Sequence, residues 1–528
     1  MTLAVNRKFS SIVGKLGINR PGLGASDTIH LRARMSWHFH FSCGVTMSSQ
    51  SATQIRDSLD HPIIDGDGHI VEILPLFLDY LRQVGGQALS DRYRAIHEAN
   101  SPYHDDAEGW YALSPKTRQR RRLMRPPSWL VNTANARERA TTMLPNLIRS
   151  RMDEFGIDFA IMYTSVGIPI SSSDDDDLRL GGCRALNLMY ADLFDAHKDR
   201  MTPSAVIPIH TPDEAIAEMT YAVQELGLKT VTIPGCVRRP LEAAGGNKHA
   251  VWIDPLAVDS LYDYDPVWAK CLELGVAPAT HHNGMGAGWG ARGTTTNFMY
   301  NHIGHFAAGA EAACKALFMG GVTKRFPDLR IAFLEGGAGW ALSLLNDVVE
   351  HWEKRNVNAL RQVTDPALLD RNELADYFHR YGGDLVNAAG DGSLRDSIFA
   401  SPLGGETAED VDDWRAIGLT NKDDIGERFL PNFFIGCEAD DRMNGAAFDP
   451  RLNPFGRKLN AFLGSDIGHW DVPDPTKVIP EAWELVDKGL LTPEDFRAFT
   501  FENVTCLHTQ MNPDFFKGTS VEDAVATV

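Results

Sequence analysis

The chain has 528 residues with a net charge of −19 at pH 7, from 51 Lys and Arg against 70 Asp and Glu, and 43% of its residues are hydrophobic. Nucleic acid and anionic membrane surfaces both require a basic face, so that balance argues against either as a main partner, and no apolar run reaches the ~18 residues of a membrane helix. Seven scattered cysteines without CxxC spacing fit reduced thiols in a cytoplasmic enzyme better than a disulfide framework.

The first 56 residues carry Arg7, Lys8, Lys15, Arg20, Arg32, Arg34 and Arg56 against one acid, Asp27. Such a segment reads either as an organellar transit peptide or as an over-extended start ahead of Met47, the favoured reading. It is set aside from the fold, leaving one domain over residues 57–515 and a tail over 516–528.

The first strand is expected in His61-Pro62-Ile63-Ile64-Asp65-Gly66-Asp67-Gly68-His69-Ile70-Val71-Glu72. Residues two apart on a strand share a side, so Asp67 and His69 emerge together as half of a metal site. A long insertion follows, from about Asp79 to Met152, with a basic run from Lys116 to Arg125. In a barrel this loop lies at the catalytic face, where Arg125 would bind an anionic small-molecule substrate; the plainer reading is a solvated charge run or an oligomer contact.

Strand and helix then alternate. Ile157–Tyr163 reads as strand two, the acidic residues Asp174 to Asp177 as a loop, and Ala185–Ala196 as a helix. Strand three is Ser204–Ile209. Thr211-Pro212-Asp213-Glu214 carries the cap, proline and acid of a helix start, running to about Leu226. Strand four is Thr230–Pro234, and Asp265-Pro266 opens the next helix. Strand five ends in Thr280-His281-His282-Asn283. Neighbours on a strand point opposite ways, which favours His281 over His282 as a ligand, with His282 left to line the pocket. A helix from about His305 to Phe318 leads to strand six, Arg330–Glu335, and a helix over Trp340–Arg355. A charged, glycine-rich second insertion spans Asn356 to Phe429. Asn432–Glu438 is strand seven, and Leu459–Asp466 is strand eight.

Near-continuous apolar strands alternating with helices call for an α/β fold with a parallel sheet, and eight such units close a (β/α)8 TIM barrel with helical insertions after strand one and between strands six and seven.

In this order, "IDGDGHIVE", "LGVAPATHHNG", "RFPDLRIAFLEGGAGW" and "GSDIGHWDVPD" resemble the amidohydrolase-related family, in the branch that includes aminocarboxymuconate semialdehyde decarboxylase. The resemblance implies one divalent metal, Zn²⁺ or Mn²⁺, held by Asp67, His69, His281 and Asp466, and a homodimer. Two imidazoles and two carboxylates suit either ion and leave room for water or substrate, whose bound water would have its pKa lowered to about 7. Asp466 would then move the proton. The first ligand is Asp67 where binuclear members have histidine, and strand four ends in Ile233-Pro234-Gly235-Cys236 without their lysine, so one metal is expected.

Many relatives place a histidine after strand six, where this chain has Glu335, a candidate acid, base or orienting group, or else a carboxylate bonded to nearby backbone. His302 and His305, three apart near a helix start, could share a face and supply the missing imidazole, or simply pack. Glu72 would hold a ligand's free N–H or cap a turn. His469 and Trp470, with Trp289, would line the substrate pocket or belong to the core. Three functions stay open: hydrolysis of an amide, lactone or similar bond by metal-activated water; non-oxidative decarboxylation of an aromatic or unsaturated carboxylic acid; or a barrel without catalysis that serves as a scaffold.

Overall fold

The computed structural model describes residues 50–98, 113–125, 134–245, 250–281, 293–385 and 407–528. Its strands in chain order are β1 Ile64–Ile70, β2 Phe159–Thr164, β3 Met201–Pro203, β4 Ala205–Val206, β5 Val231–Ile233, β6 Val237–Pro240, β7 Val251–Asp254, β8 Pro278–Thr280, β9 Ile331–Phe333, β10 Phe433–Glu438 and β11 Asn460–Gly464. β1 to β3 form one parallel ladder, and β4, β5, β8, β9, β10 and β11 another. The chain passes from β3 to β4 through Ser204, whose N–H donates to Met162 O at 2.9 Å, so these two short strands fill one position. The ring closes where Asp466 N donates to Asp67 O and His69 N to Ile467 O, each at 3.1 Å. Eight parallel positions result, the expected (β/α)8 barrel.

Strands buried on both faces need apolar side chains on both. Inside lie Ile64, Ile161, Ala279, Ala332, Phe434 and Phe462, while the opposite faces pack against the helices. The barrel is narrow at Gly66, where a Cβ would stand 2.5 Å from the Phe462 ring. β1 also shifts register against β2 between Asp65 and Gly68, a bulge at the point where its polar residues begin.

The helix starts follow the capping chemistry. Thr211 accepts from Glu214 N at 3.2 Å and the helix spans Pro212–Gln224. Asp265–Leu274 ends on Gly275 at φ 66°, a left-handed cap. The acidic stretch read as a loop differs: Asp175 caps a helix running Asp176–Phe194, with Asp176 and Asp177 in its first turn, where the dipole favours negative charge. β6 and β7 form an antiparallel hairpin after the fourth barrel position. It is tied back by buried Arg239, which donates to Asp254 Oδ2, His210 O and the Tyr264 hydroxyl.

The folded unit reaches past both sequence-drawn bounds. Helix Ala52–Ser58 has a Ser51–Gln54 capping box and a fully buried Ile55. Residues 516–528, read as a tail, place Phe516 and Val521 with Phe501, Val504, Leu507 and Phe515 under the N-terminal strand ends. Apolar side chains cover that end of the barrel; the polar site occupies the other. The six cysteines among the described residues are all free, and no helix among those residues is long and apolar enough to cross a membrane.

Candidate metal and catalytic centre

Six side chains from four strand ends converge at the C-terminal face. Asp67 and His69 project from β1, His281 follows β8 directly, Glu335 lies two residues beyond β9, and Asp466 and His469 follow β11. His69, Glu335, Asp466 and His469 form one ligand-capable set and Asp67, His69 and His281 another, with the donor atoms of each set within 4.8 Å of one another. His69 Nε2 stands 3.3 Å from His281 Nε2, 3.5 Å from Asp67 Oδ1 and 3.4 Å from Asp466 Oδ1. His281 Nε2 lies 3.1 Å from Glu335 Oε2, and His469 Nδ1 lies 2.5 Å from Asp466 Oδ1. All but His469 are buried.

The electrostatics are those of a cation site. Burial pushes the imidazoles towards the neutral form that binds metal, His69 well below its usual range and His281 to about 3. Burial, then the charges of Glu335 and Asp466, raises Asp67 well above the usual carboxylate range. Asp466 is raised for the same reasons, burial first and Glu335 second. Burial lifts Glu335 to about 7 and Glu438, at the end of β10, to about 8. Carboxylates crowded out of water repel one another unless a cation sits among them. Asp67 Oδ1 has no hydrogen-bond partner although it is buried, and two ring nitrogens face each other beside it. This mixed N/O donor set fits one divalent ion such as Zn²⁺ or Mn²⁺.

The backbone aims two of these carboxylates by unusual means. Glu335 and Asp466 adopt φ of 58° and 49°, a left-handed conformation that costs a non-glycine residue about 1 kcal/mol or more. Asp466 is held there by its N–H bond to Asp67 O and, through Ser465, by Asp65. Asp65 Oδ1 accepts from Ser465 N at 2.9 Å and Asp67 N at 3.1 Å, while Oδ2 accepts from Ser465 Oγ at 2.5 Å. This side chain ties the first barrel strand to the last immediately beneath the candidate ligands. Gly464 permits the approach, since a Cβ there would stand 2.8 Å from Asp67 Cβ.

The remaining sequence candidates fall in several places. Glu72 holds no metal ligand's N–H: its Oε1 accepts from Thr164 Oγ1 at 2.5 Å, Ser165 N at 3.2 Å and the Tyr190 hydroxyl, and its Oε2 accepts from Val166 N at 2.9 Å. It fixes the loop after β2. His302 and His305 do not share a helix face, because His302 ends one helix and His305 begins the next, with Gly304 at φ 68° between them. His302 packs edge-on to Trp470 at 5.7 Å and lies near enough to Glu335 to lower its pKa. Buried His305 packs on Phe306, whose ring also meets His281 at 5.3 Å. Arg125 follows an exposed helix, Pro115–Arg121. Its N–H donates to Thr294 O at 2.8 Å and its carbonyl accepts from Asn301 Nδ2 at 3.1 Å, pinning the basic loop to the loop after β8. His282 and Trp289 lie outside the described residues, as do residues 1–49 of the amino-terminal extension.

Asp65, Glu438 and Asp471 were not singled out by the sequence. Asp65 stands two residues before Asp67 in the same motif, and Glu438 ends an apolar strand just as Glu335 does, so alternation and strand-end position were the available signals. Asp471, whose charge raises Asp466 and Glu438, sits in a loop with no such pattern.

Residues 152–386 match the amidohydrolase family model. No curated protein matches the chain. Among solved structures it is similar to an amidohydrolase from Mycobacterium avium subsp. paratuberculosis, at 16% identity and a TM-score of 0.48 over 85% of this chain and 98% of that one. It is also similar to 5-carboxyvanillate decarboxylase from Sphingomonas paucimobilis, at 15% identity and a TM-score of 0.46 over 85% and 98%. A dihydroxybenzoic acid decarboxylase from Polaromonas, with bound manganese and the inhibitor 2-nitroresorcinol, aligns at 13% identity and a TM-score of 0.45 over 87% and 99%.

Proposed function

From an amidohydrolase-family barrel as premise, we propose that this chain is a metal-dependent hydrolase that cleaves an amide, lactone or similar bond of a small molecule with activated water. The observation that carries this reading is the Asp466–His469 contact, 2.5 Å from Oδ1 to Nδ1, beside the cluster of neutral imidazoles. A carboxylate in contact with a partly exposed imidazole is an acid–base pair that can take a proton at the buried centre and pass it outward. Asp67, His69, His281 and Asp466 would hold the divalent ion, which when bound supplies Lewis acidity and a water of lowered pKa. Glu335, whose Oε2 lies 3.1 Å from the same His281 Nε2 that would face the ion, adds negative charge that draws in the cation.

The carboxylate-rich wall favours water activation over binding an anionic substrate. The ion pairs of Asp67, Glu335 and Asp466 are with imidazoles, and no Lys or Arg among the described residues pairs with them. A second reading, decarboxylation of an aromatic or unsaturated carboxylic acid, is supported by Arg125, whose backbone is anchored at the catalytic face where a guanidinium could hold a carboxylate. Asp466 would then protonate the carbon that loses CO₂.

The test is metal content by elemental analysis together with turnover of amide and lactone panels and CO₂ release from aromatic acids. Near one metal per chain, with hydrolysis lost in Asp466→Asn and His469→Ala, is expected. CO₂ release lost in Arg125→Ala would give the second reading. A metal-loaded chain inert to both panels would leave the scaffold reading.

A further inference from the structure

The metal centre is acid-rich, yet the opposite side of the barrel mouth carries donors that the catalytic reading does not use. His210 lies just beyond the third barrel position, filled by β3 and β4, and Arg238 and Arg239 lie in the hairpin that follows the fourth. In a ring of eight these positions stand across from the seventh and eighth, whose strand ends supply Glu438 and Asp466. Both ring nitrogens of His210 are buried without a hydrogen-bond partner, and so is Nε of Arg238. A neutral imidazole carries one N–H and a guanidinium five. Buried donors of this kind are expensive to leave unmade, and at the catalytic face of a barrel they point to a ligand.

The surrounding charges indicate which ligand. Arg239 donates to Asp254 Oδ2, the Tyr264 hydroxyl and the His210 carbonyl, and Arg179 donates to Glu214, Asp176 and Ser173 O. Burial first, then the charges of Arg179 and Arg239, holds the His210 ring neutral, with its pKa lowered to about 3. These two guanidiniums are matched by the buried carboxylates of Asp254 and Glu214. Arg238 has no such match. Its ion pair is with Asp174, 3.8 Å from Nη1, and the Asp174 and Asp176 side chains are 45% and 79% exposed, where water screens them. Away from solvent, Arg179, Arg238 and Arg239 therefore face only Glu214 and Asp254, an excess of one positive charge. An oxyanion supplies both the acceptor that His210 and Arg238 lack and the missing negative charge. A cation would be repelled, and an apolar group would leave the donors unmade. The carboxylates of the metal centre repel an anion there, so the charge belongs on a part of the substrate away from the reacting bond. We propose that His210 and Arg238 form an oxyanion subsite for a carboxylate or phosphate that the substrate bears remote from its scissile bond. That the ligand is the substrate rests on the hydrolase reading; that an oxyanion binds here does not.

Isothermal titration calorimetry of the full chain, stripped of metal by a chelator, with inorganic phosphate and with glutarate tests this. Wild type should bind at least one of them saturably, and which of the two distinguishes a phosphate from a carboxylate. Arg238→Gln and His210→Ala should each weaken binding by about tenfold or more, with circular dichroism as in wild type. Arg238→Lys should weaken it less, because lysine restores the charge without the Nε donor. His281→Ala should bind the anion as wild type does, so a failure of the metal-centred reading leaves this result standing. For acidic substrates found by screening, Arg238→Gln should raise KM with kcat little changed, and neutral analogues should be unaffected. No saturable binding of either anion, binding indifferent to both Arg238→Gln and His210→Ala, or binding lost equally in His281→Ala would each overturn the subsite. An unchanged KM for acidic substrates in Arg238→Gln would overturn its assignment to the substrate.

Discussion

Replacing Glu335 with glutamine removes one charge from the centre while keeping its size, and the result can be worked out in sign and magnitude. Burial holds the Glu335 carboxyl at about 7 against an ordinary value of 4.5. A carboxylic acid whose folded pKa lies above its unfolded value keeps its proton more tightly when folded. Its contribution to stability is therefore complete below about pH 4.5 and is lost as the pH rises through about 7. A gap of two and a half units at ~1.36 kcal/mol each amounts to about 3 kcal/mol at most. In chelator-stripped protein, the stability of Glu335→Gln relative to wild type should therefore shift in the variant's favour by up to that amount between about pH 5 and pH 8. Asp65, lifted to about 6, titrates in both proteins and cancels in the difference, whereas Glu438, Asp67 and Asp466 are each raised in part by the Glu335 charge and move the difference in the same direction, so that about 3 kcal/mol is the share of Glu335 itself. Urea unfolding of both proteins at the two pH values gives the number. Added Zn²⁺ or Mn²⁺ should then stabilise wild type more than the variant. A difference unchanged with pH, or one moving towards wild type at high pH, would refute the reasoning that an uncompensated carboxylate is held here for a cation.

His281→Ala should lose the bound metal, measured by elemental analysis after dialysis, because its Nε2 lies 3.3 Å from His69 Nε2 at the cluster's heart. Asp466→Asn should lower turnover by about 10²-fold or more with fold retained, read as kcat on the substrate found by screening. Asp65→Ala should destabilise the protein by about 2–4 kcal/mol, read by urea unfolding, because it strands the Ser465 hydroxyl and two buried N–H groups. Metal affinity should fall as the pH drops below about 7, since Glu335 takes up a proton there, and a competitive chelator titration at several pH values would show it.

The barrel was legible because its strands are short apolar runs separated by helix starts with strong capping chemistry, such as Thr211-Pro212, where Thr211 does accept from Glu214 N. Asp67, His69, His281 and Asp466 were legible because each stands at or just past such a run. Glu335 was read only as one candidate role among alternatives, and how it meets Asp466 was not legible, because both backbones turn left-handed and a positive φ at a carboxylate has no sequence signature. Glu72 was misassigned because a spacing of three from His69 fits a bond to the ring, whereas its actual partners, Thr164 and Tyr190, lie 92 and 118 residues away. The helix break at Gly304 likewise overrode the spacing that paired His302 with His305. Asp175 showed the converse, a local acid cluster read as loop that begins a helix.

These failures share a direction that bears on the chemistry. Every candidate ligand drawn from the sequence was placed at a strand end, whereas the features that set the centre's charge depend on long-range bonds and backbone turns: Asp65 to Ser465, Asp466 to Asp67, and the Glu335 turn. Asp65 joins residues 400 apart in sequence, so the distance between the β1 and β11 ligands is fixed when the barrel closes and not before. Closing the β1–β11 seam brings the Asp67 and Asp466 carboxylates together, and a divalent ion bound there would offset their repulsion. Metal binding and pairing at that seam should then be thermodynamically coupled, and a chain stripped of its ion should open first at the β1–β11 seam, where hydrogen exchange of the Ser465 and Asp466 amides would report it.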